Sequence, residues 1–276
     1  MLKRGSTAKF MPNSMVFPGG VIDKTDGKLG DEFRVAAVRE LFEESGVLLT
    51  KDGWQTSANN PEMTTLKSEI AADATKFEKL SSKFCAEKLV EWDSFLTPAN
   101  NPRRFLTKFY VCLIEEEPAI DLCTSEMSEY TWIEPQQCVD EAYDGKFVLP
   151  PPQVYELTRL AKVKDWEQCE KYANVKKVLC PQPVKTIGED FISNCFPGDH
   201  LYVDEQSYHQ PLRQLPAKDA AVSPSLPTHR CTYHTKPLIY TKCRLYQHHL
   251  KPTDVAAFHQ FETNSKEILE KAGASN

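Results

Sequence analysis

The spacing of apolar positions changes several times along the chain, and each change marks an element. Residues 13–22 (NSMVFPGGVI) set β-forming side chains before a Pro-Gly-Gly breaker, which predicts a short strand ending in a turn. A polar loop over 23–30 follows. Over 31–45 the apolar residues recur every three or four positions, as a helix with one buried face requires, and Gly46 stands where a C-cap belongs. Val35, Val38, Leu41 and Phe42 share one side of that helix. Glu40, Glu43 and Glu44 share the other, with Arg39 at the edge of the acidic group. Residues 47–50 read as extended, 51–61 as loop and 62–92 as two helices. A Pro- and Asn-rich connection over 96–104 leads to strands at 105–114 and 129–133. Helices follow at 135–145 and 153–172. Past Pro181 the pattern weakens to short extended runs such as 237–246, and 252–272 returns to helical spacing. No internal repeat is present.

Composition narrows the function classes. With 276 residues and 41% hydrophobic content the chain can bury a sizeable core, as one large domain or two small ones. A net charge of −6 and a pI near 5.7 argue against a broad nucleic-acid surface while leaving room for a local basic pocket. There is no apolar run of membrane-spanning length, and the opening residues lack the apolar stretch of a secretory signal. Nine cysteines without a CxxC pair read as reduced thiols, hence an intracellular protein. Ala274, Ser275 and Asn276 do not match a peroxisomal address of the SKL type. All seven histidines fall between His200 and His259, so histidine chemistry would have to come from the C-terminal third. There is no GxSxG, HExxH or Walker sequence. Cys231-x-x-His234 followed by Cys243 and His248 has the spacing of no common zinc site.

The 31–45 helix carries the chemistry. Three glutamates on one side of an amphipathic helix are, taken alone, most simply a solvated face. Held close together, the same three repel, and a divalent cation offsets that repulsion; hard oxygen donors suit Mg²⁺ or Mn²⁺. Residues 39–47 (RELFEESGV) fit R-E-U-x-E-E-x-G-U, where U is a bulky aliphatic residue. A chance match in a chain of this length is on the order of one in 10⁴ at average residue usage.

This segment resembles the box of the Nudix superfamily, G-x5-E-x7-R-E-U-x-E-E-x-G-U. The resemblance implies an α/β fold, an α/β/α sandwich with a mixed sheet, in which the box forms a loop–helix–loop that binds divalent cations. Gly20 takes the place of the opening glycine. Asp31, with seven residues between it and Arg39, takes the place of the first glutamate. Ten residues then separate Gly20 from Asp31 where the pattern has five. FMPNSMVFPGGVID, VRELFEESGVLL, LTPANNPRRFLTKFYVC and LPPPQVYEL look like the animal branch of peroxisomal coenzyme A diphosphatases, which also has an insertion in the box. That likeness implies a Nudix domain over 1–180 with a helical insertion at about 57–95, and a C-terminal extension over 181–276 packed on the domain. A Nudix domain usually opens with a full strand ending near the equivalent of Lys3-Arg4. Here that point is almost at Met1, so either upstream sequence supplies the strand or another segment, such as 238–246, takes the sheet edge.

The resemblance also implies roles. Glu40, Glu43 and Glu44 hold Mg²⁺ or Mn²⁺ with a backbone carbonyl near Gly20, and Arg39 orients a box glutamate. Glu126 and Glu129 stand near the family's later acidic site and are candidate general bases, against the plain reading of a polar loop. Arg103 and Arg104, with Arg4 and Lys3, are candidate phosphate contacts, against the plain reading of surface pairs. The implied reaction is hydrolysis of coenzyme A or an acyl-coenzyme A, a small-molecule diphosphate, to 3′,5′-ADP and (acyl)phosphopantetheine. Another nucleoside diphosphate linked to a sugar or nucleoside remains open, as does a binding protein without turnover. The branch implies a peroxisomal or mitochondrial setting; the absence of a targeting signal leaves the cytosol open. No nucleic-acid or membrane partner is expected.

Overall fold

The computed structural model describes residues 1–8, 11–173, 178–203, 211–223 and 225–234, and the backbone of 241–248. The box helix, Glu32–Ser45 (α1), is fixed at both ends by its own sequence. The Asp31 carboxylate accepts from the Arg34 N–H at 3.0 Å and closes the first turn. Gly46 adopts φ 74°, and its N–H donates to the Phe42 carbonyl at 2.8 Å. Val35, Val38 and Phe42 are buried against Leu48 and Leu49 of Val47–Thr50 (β3), and Leu41 packs at the edge of that cluster. β3 turns back antiparallel into Gly53–Thr56 (β4), a strand that the polar run 51–61 concealed. Gly53, at φ 138°, makes the tight return.

The stretch 62–92 contains less α-helix than its pattern suggests. Pro61–Ala72 (α2) ends at Asp73, whose side chain accepts from the Thr75 N–H and starts a 3₁₀ segment, Ala74–Leu80. A further 3₁₀ turn, Ala86–Lys88, leads to strand Val90–Leu96 (β5). Over so few residues, periods of 3.0 and 3.6 place the apolar side chains alike, so Phe77, Leu80 and Leu89 reach the core without a second α-helix.

Leu2–Arg4 (β1) lies between Met15–Val16 (β2) and Met127–Tyr130 (β7), antiparallel to both. Leu106–Val111 (β6) pairs with β5. Pro135–Tyr143 (α3), Pro151–Leu160 (α4) and Trp166–Ala173 (α5) follow; the single helix expected over 153–172 is interrupted after Ala161. The weakly patterned region past Pro181 holds a five-stranded mixed sheet. It is built from Gln182–Thr186 (β8), Phe191–Cys195 (β9), Arg213–Leu215 (β10), Thr228–His234 (β11) and Thr241–His248 (β12), in the order β10-β8-β9-β11-β12. Its β10–β8 pair is parallel. Residues 241–248 pair with β11, which corrects the expectation that 238–246 takes an edge beside residues 2–4; residues 238–240 and the expected helix at 252–272 lie outside the described residues. Gln182, Thr186, Ser193, Asn194, Thr228 and Arg230 are all buried in these strands. Polar side chains at buried positions erase the apolar alternation from which a strand is read.

Contacts divide the chain into two compact units, Met1–Glu91 with Tyr110–Trp132, and Trp92–Phe109 with the residues from Ile133 onward. The eight described cysteines are free thiols, and burial pushes Cys180 and Cys195 up to about 12. Among the described residues no helix is long and apolar enough to cross a membrane.

At Gly46 an added Cβ would stand 2.2 Å from Ser57 Oγ and 2.9 Å from Asp121 Cβ, on a backbone at positive φ. Gly46→Ala is expected to lower stability by more than about 1 kcal/mol, read as a shift in the urea midpoint at unchanged slope.

Candidate active site

Every donor edge of the buried Arg39 guanidinium is engaged. Nε and Nη2 grip the buried Asp26 carboxylate at 3.0 Å each. Nη1 donates to Glu40 Oε1 at 3.0 Å and to Glu43 Oε1 at 2.9 Å, and Nη2 also donates to the Val21 carbonyl at 2.8 Å. Burial works against the arginine's charge, but Asp26, Glu40 and Glu43 outweigh it and its pKa rises. The side chain therefore links Asp26 of the loop to Glu40 and Glu43 of the helix.

Glu40 lies against Gly20 and shares Arg39 Nη1 with Glu43, while Glu44 meets the neighbouring Gly19. A Cβ on Gly20 would fall 2.4 Å from the Glu40 carboxyl carbon, so only glycine leaves that carboxylate its place. Glu44 is buried and accepts from the Gly19 N–H at 3.0 Å. Burial pushes Glu40 up to about 7 against the pull of Arg39, and the charges of Glu43 and Glu126 add to the rise. Burial pushes Glu44 up to about 8 against the Gly19 N–H, with Glu40 and Glu126 adding to it. Glu43 is raised by burial as well, with Arg39 opposing and Glu126 adding. Among the described residues no group of three or more Asp, Glu, His or Cys side chains is gathered into a ready-made metal cage. In donor type and charge the group nonetheless suits a divalent cation: close carboxylates, held partly out of water, whose mutual repulsion a hard cation relieves.

Asp26 is the residue that counting back from Arg39 overlooked. Five residues separate it from Gly20, the spacing of the first acid in the box, and it is this carboxylate that takes Arg39. Asp31, exposed, caps α1 instead. The extra residues of the box thus fall after Asp26, where Asp26–Lys28 forms a 3₁₀ turn before the helix begins. Counting forward from Gly20 would have found it.

The other candidates separate. Glu126 is exposed, and its charge acts on all three box glutamates. Glu129 is opposite Lys3 across the β1–β7 pair and forms a 3.0 Å ion pair with it. Arg4, half-buried at the end of β1, lowers the pKa of Glu44. Arg103 and Arg104 belong to the second compact unit. Arg103 is exposed; Arg104 is buried, with Nε donating to the Thr97 carbonyl at 2.8 Å and Nη2 3.7 Å from Cys180 Sγ, so it fastens its own turn.

The fold is that of the Nudix hydrolases: a crystal structure of a NUDIX hydrolase from Alicyclobacillus acidocaldarius superposes with a TM-score of 0.54 at 23% identity, over 62% of this chain and 86% of that one. The family model for the NUDT19 Nudix domain matches residues 29–160. A Caenorhabditis elegans protein named "Putative nudix hydrolase 7" is 71% identical over 98% of this chain and 91% of its own. The Acyl-coenzyme A diphosphatase NUDT19 of Xenopus laevis is 27% identical, covering 74% of this chain and 71% of its own. The human protein of that name is 26% identical, covering 79% and 76%. The chain belongs to the Nudix hydrolase family.

Two substitutions distinguish the acids of the box loop. Asp26→Asn strips the buried guanidinium of its bidentate partner and is expected to cost about 3 kcal/mol or more. Asp31→Ala removes only a cap, about 1 kcal/mol. Chemical denaturation of both variants measures the difference, and equal losses would mean that Asp26 is no more than a loop residue.

Proposed function

We propose that this Nudix hydrolase cleaves the diphosphate of coenzyme A or an acyl-coenzyme A, giving 3′,5′-ADP and (acyl)phosphopantetheine, with Mg²⁺ or Mn²⁺ at Glu40, Glu43 and Glu44. The carrying observation is the charge imbalance around α1. One buried guanidinium faces Asp26, Glu40 and Glu43, with the buried Glu44 carboxyl and the charge of Glu126 nearby. Substrate and water would meet at this excess of carboxylates. When bound, the cation supplies charge neutralisation for the phosphate oxygens and lowers the pKa of a water.

The protein's own groups do the rest. Arg39 fixes Glu40 and Glu43 relative to each other, and Asp26 fixes Arg39. Gly20 leaves room for the Glu40 carboxylate. Glu126, exposed and within electrostatic reach of the box, is assigned the proton of the attacking water; Glu129 is occupied by Lys3. The substrate assignment is supported by the NUDT19 relatives, which are named as acyl-coenzyme A diphosphatases. Arg103, whose guanidinium is exposed while that of Arg104 is engaged in its turn, is assigned to the 3′-phosphate.

A panel of coenzyme A, dephospho-coenzyme A, a nucleotide sugar and a dinucleotide, with products separated by chromatography, tests the substrate. Preference for either of the last two overturns the coenzyme A assignment. Activity is expected to require Mg²⁺ or Mn²⁺ and to vanish in EDTA. Glu43→Gln should lower kcat on the order of 10²-fold with the fold intact, and should weaken the rise in Tm on adding Mn²⁺. Full activity in EDTA removes the metal assignment. Arg103→Ala is expected to raise KM for coenzyme A about tenfold and leave dephospho-coenzyme A unchanged.

A further inference from the structure

The helical insertion does more than extend the core. Lys67 of α2 is buried, and its ammonium reaches one residue twice: Nζ lies 2.9 Å from Asp121 Oδ2 and donates to the Asp121 carbonyl. Ser57, just past β4, donates to the same carboxylate oxygen at 2.7 Å. The segment around Asp121 is laid along the C-terminal end of the box helix. The Asp121 N–H donates to the Ser45 carbonyl and the Cys123 N–H to the Glu44 carbonyl, both at 2.9 Å. From there a turn closed by the Glu126 and Met127 N–H groups on the Cys123 carbonyl carries the chain to β1, where the Gly5 N–H donates to the Glu126 carbonyl at 2.8 Å. Two carbonyls at the end of α1 and one strand edge therefore fix the backbone that bears Glu126. Asp121, the first point of that attachment, is held from outside by Lys67 and Ser57.

The geometry points to Lys67 as a positioning residue: through Asp121 it sets the segment 121–126, and so the place of the Glu126 carboxylate beside the box glutamates. This rests on the reading of Glu126 as the proton acceptor. A buried ammonium with one carboxylate partner is a strong constraint, because separating the two leaves a charge out of water. A proton acceptor displaced by about 1 Å costs on the order of 10²-fold in rate, so a brace at this distance acts on catalysis without touching substrate.

The test is a double-mutant cycle on the full-length protein with Mg²⁺, using whichever substrate of the panel above the wild type cleaves fastest. Lys67→Met is expected to lower kcat about ten- to a hundredfold with KM nearly unchanged, and Lys67→Arg to recover most of it. In a Glu126→Gln background, Lys67→Met should change kcat by less than about twofold, since the group it positions is gone. Asp121→Asn, which keeps the backbone carbonyl contact, should follow the same pattern and serves if the Lys67 variant does not fold. Amide hydrogen exchange reads the brace without turnover: the Asp121 and Cys123 amides should exchange about tenfold faster in Lys67→Met, while Val38 and Phe42 within α1 hold their protection. Equal losses of kcat in both backgrounds, or unchanged exchange at Asp121 and Cys123, overturn the positioning role. Wild-type kcat in Glu126→Gln overturns it together with the Glu126 assignment, and leaves the metal assignment standing.

Discussion

A guanidinium taken out of water must find partners for all its N–H groups, and Arg39 finds them by drawing the box together. Its two sides impose different demands. Toward the loop it needs a carboxylate in fork geometry, which brings Asp26 back over the helix and with it the chain from Gly20 to Val21. Toward its own helix it takes Glu40, the next residue, and Glu43, four residues on. The glutamates are held in place by the same side chain that reduces their repulsion. Burial, with the neighbouring carboxylates adding to it, raises Glu40 and Glu44 into the neutral range despite that one cation.

The second unit solves the same problem in the same way. Arg230 is fully buried, grips both oxygens of Asp199 at 2.7 Å and donates to the Ala220 carbonyl. Arg159 joins Asp93 and Glu156 and lies over the Trp92 ring at 4.6 Å, while the Trp92 indole N–H donates to Glu156. Each arginine ties together segments far apart in sequence. A planar fork of donors specifies orientation as well as distance, so these contacts register one segment against another where an apolar contact would allow sliding.

Around the box the sequence is read most easily where a residue's role is local. The ends of α1 are written in Asp31 and Gly46, its buried face in Val35, Val38 and Phe42, and its acidic face in Glu40, Glu43 and Glu44. Asp31 also shows how local reading misleads. Its distance from Arg39 suits the first acid of the box, but an aspartate just before a helix finds an amide three residues on nearer than any guanidinium, and it caps. The 62–92 stretch misled for a related reason, since a short apolar period fits 3₁₀ turns as well as an α-helix.

By itself the sequence determined the box helix, the chemistry of its polar face and the class of reaction, because these depend on residues within one or two turns of each other. Tertiary structure alone decided which distant groups complete them. Asp26 reaches Arg39 across 13 positions, Lys67 reaches Asp121 across 54, and Glu129 is set against Lys3 rather than the box by pairing across 126. It also decided the five-stranded sheet, whose buried side chains include Gln182, Asn194 and Arg230. Periodicity reports burial only when the buried side chains are apolar. Where burial is bought with an ion pair or a hydrogen bond, the partner lies elsewhere in the chain, and only folding brings the two together.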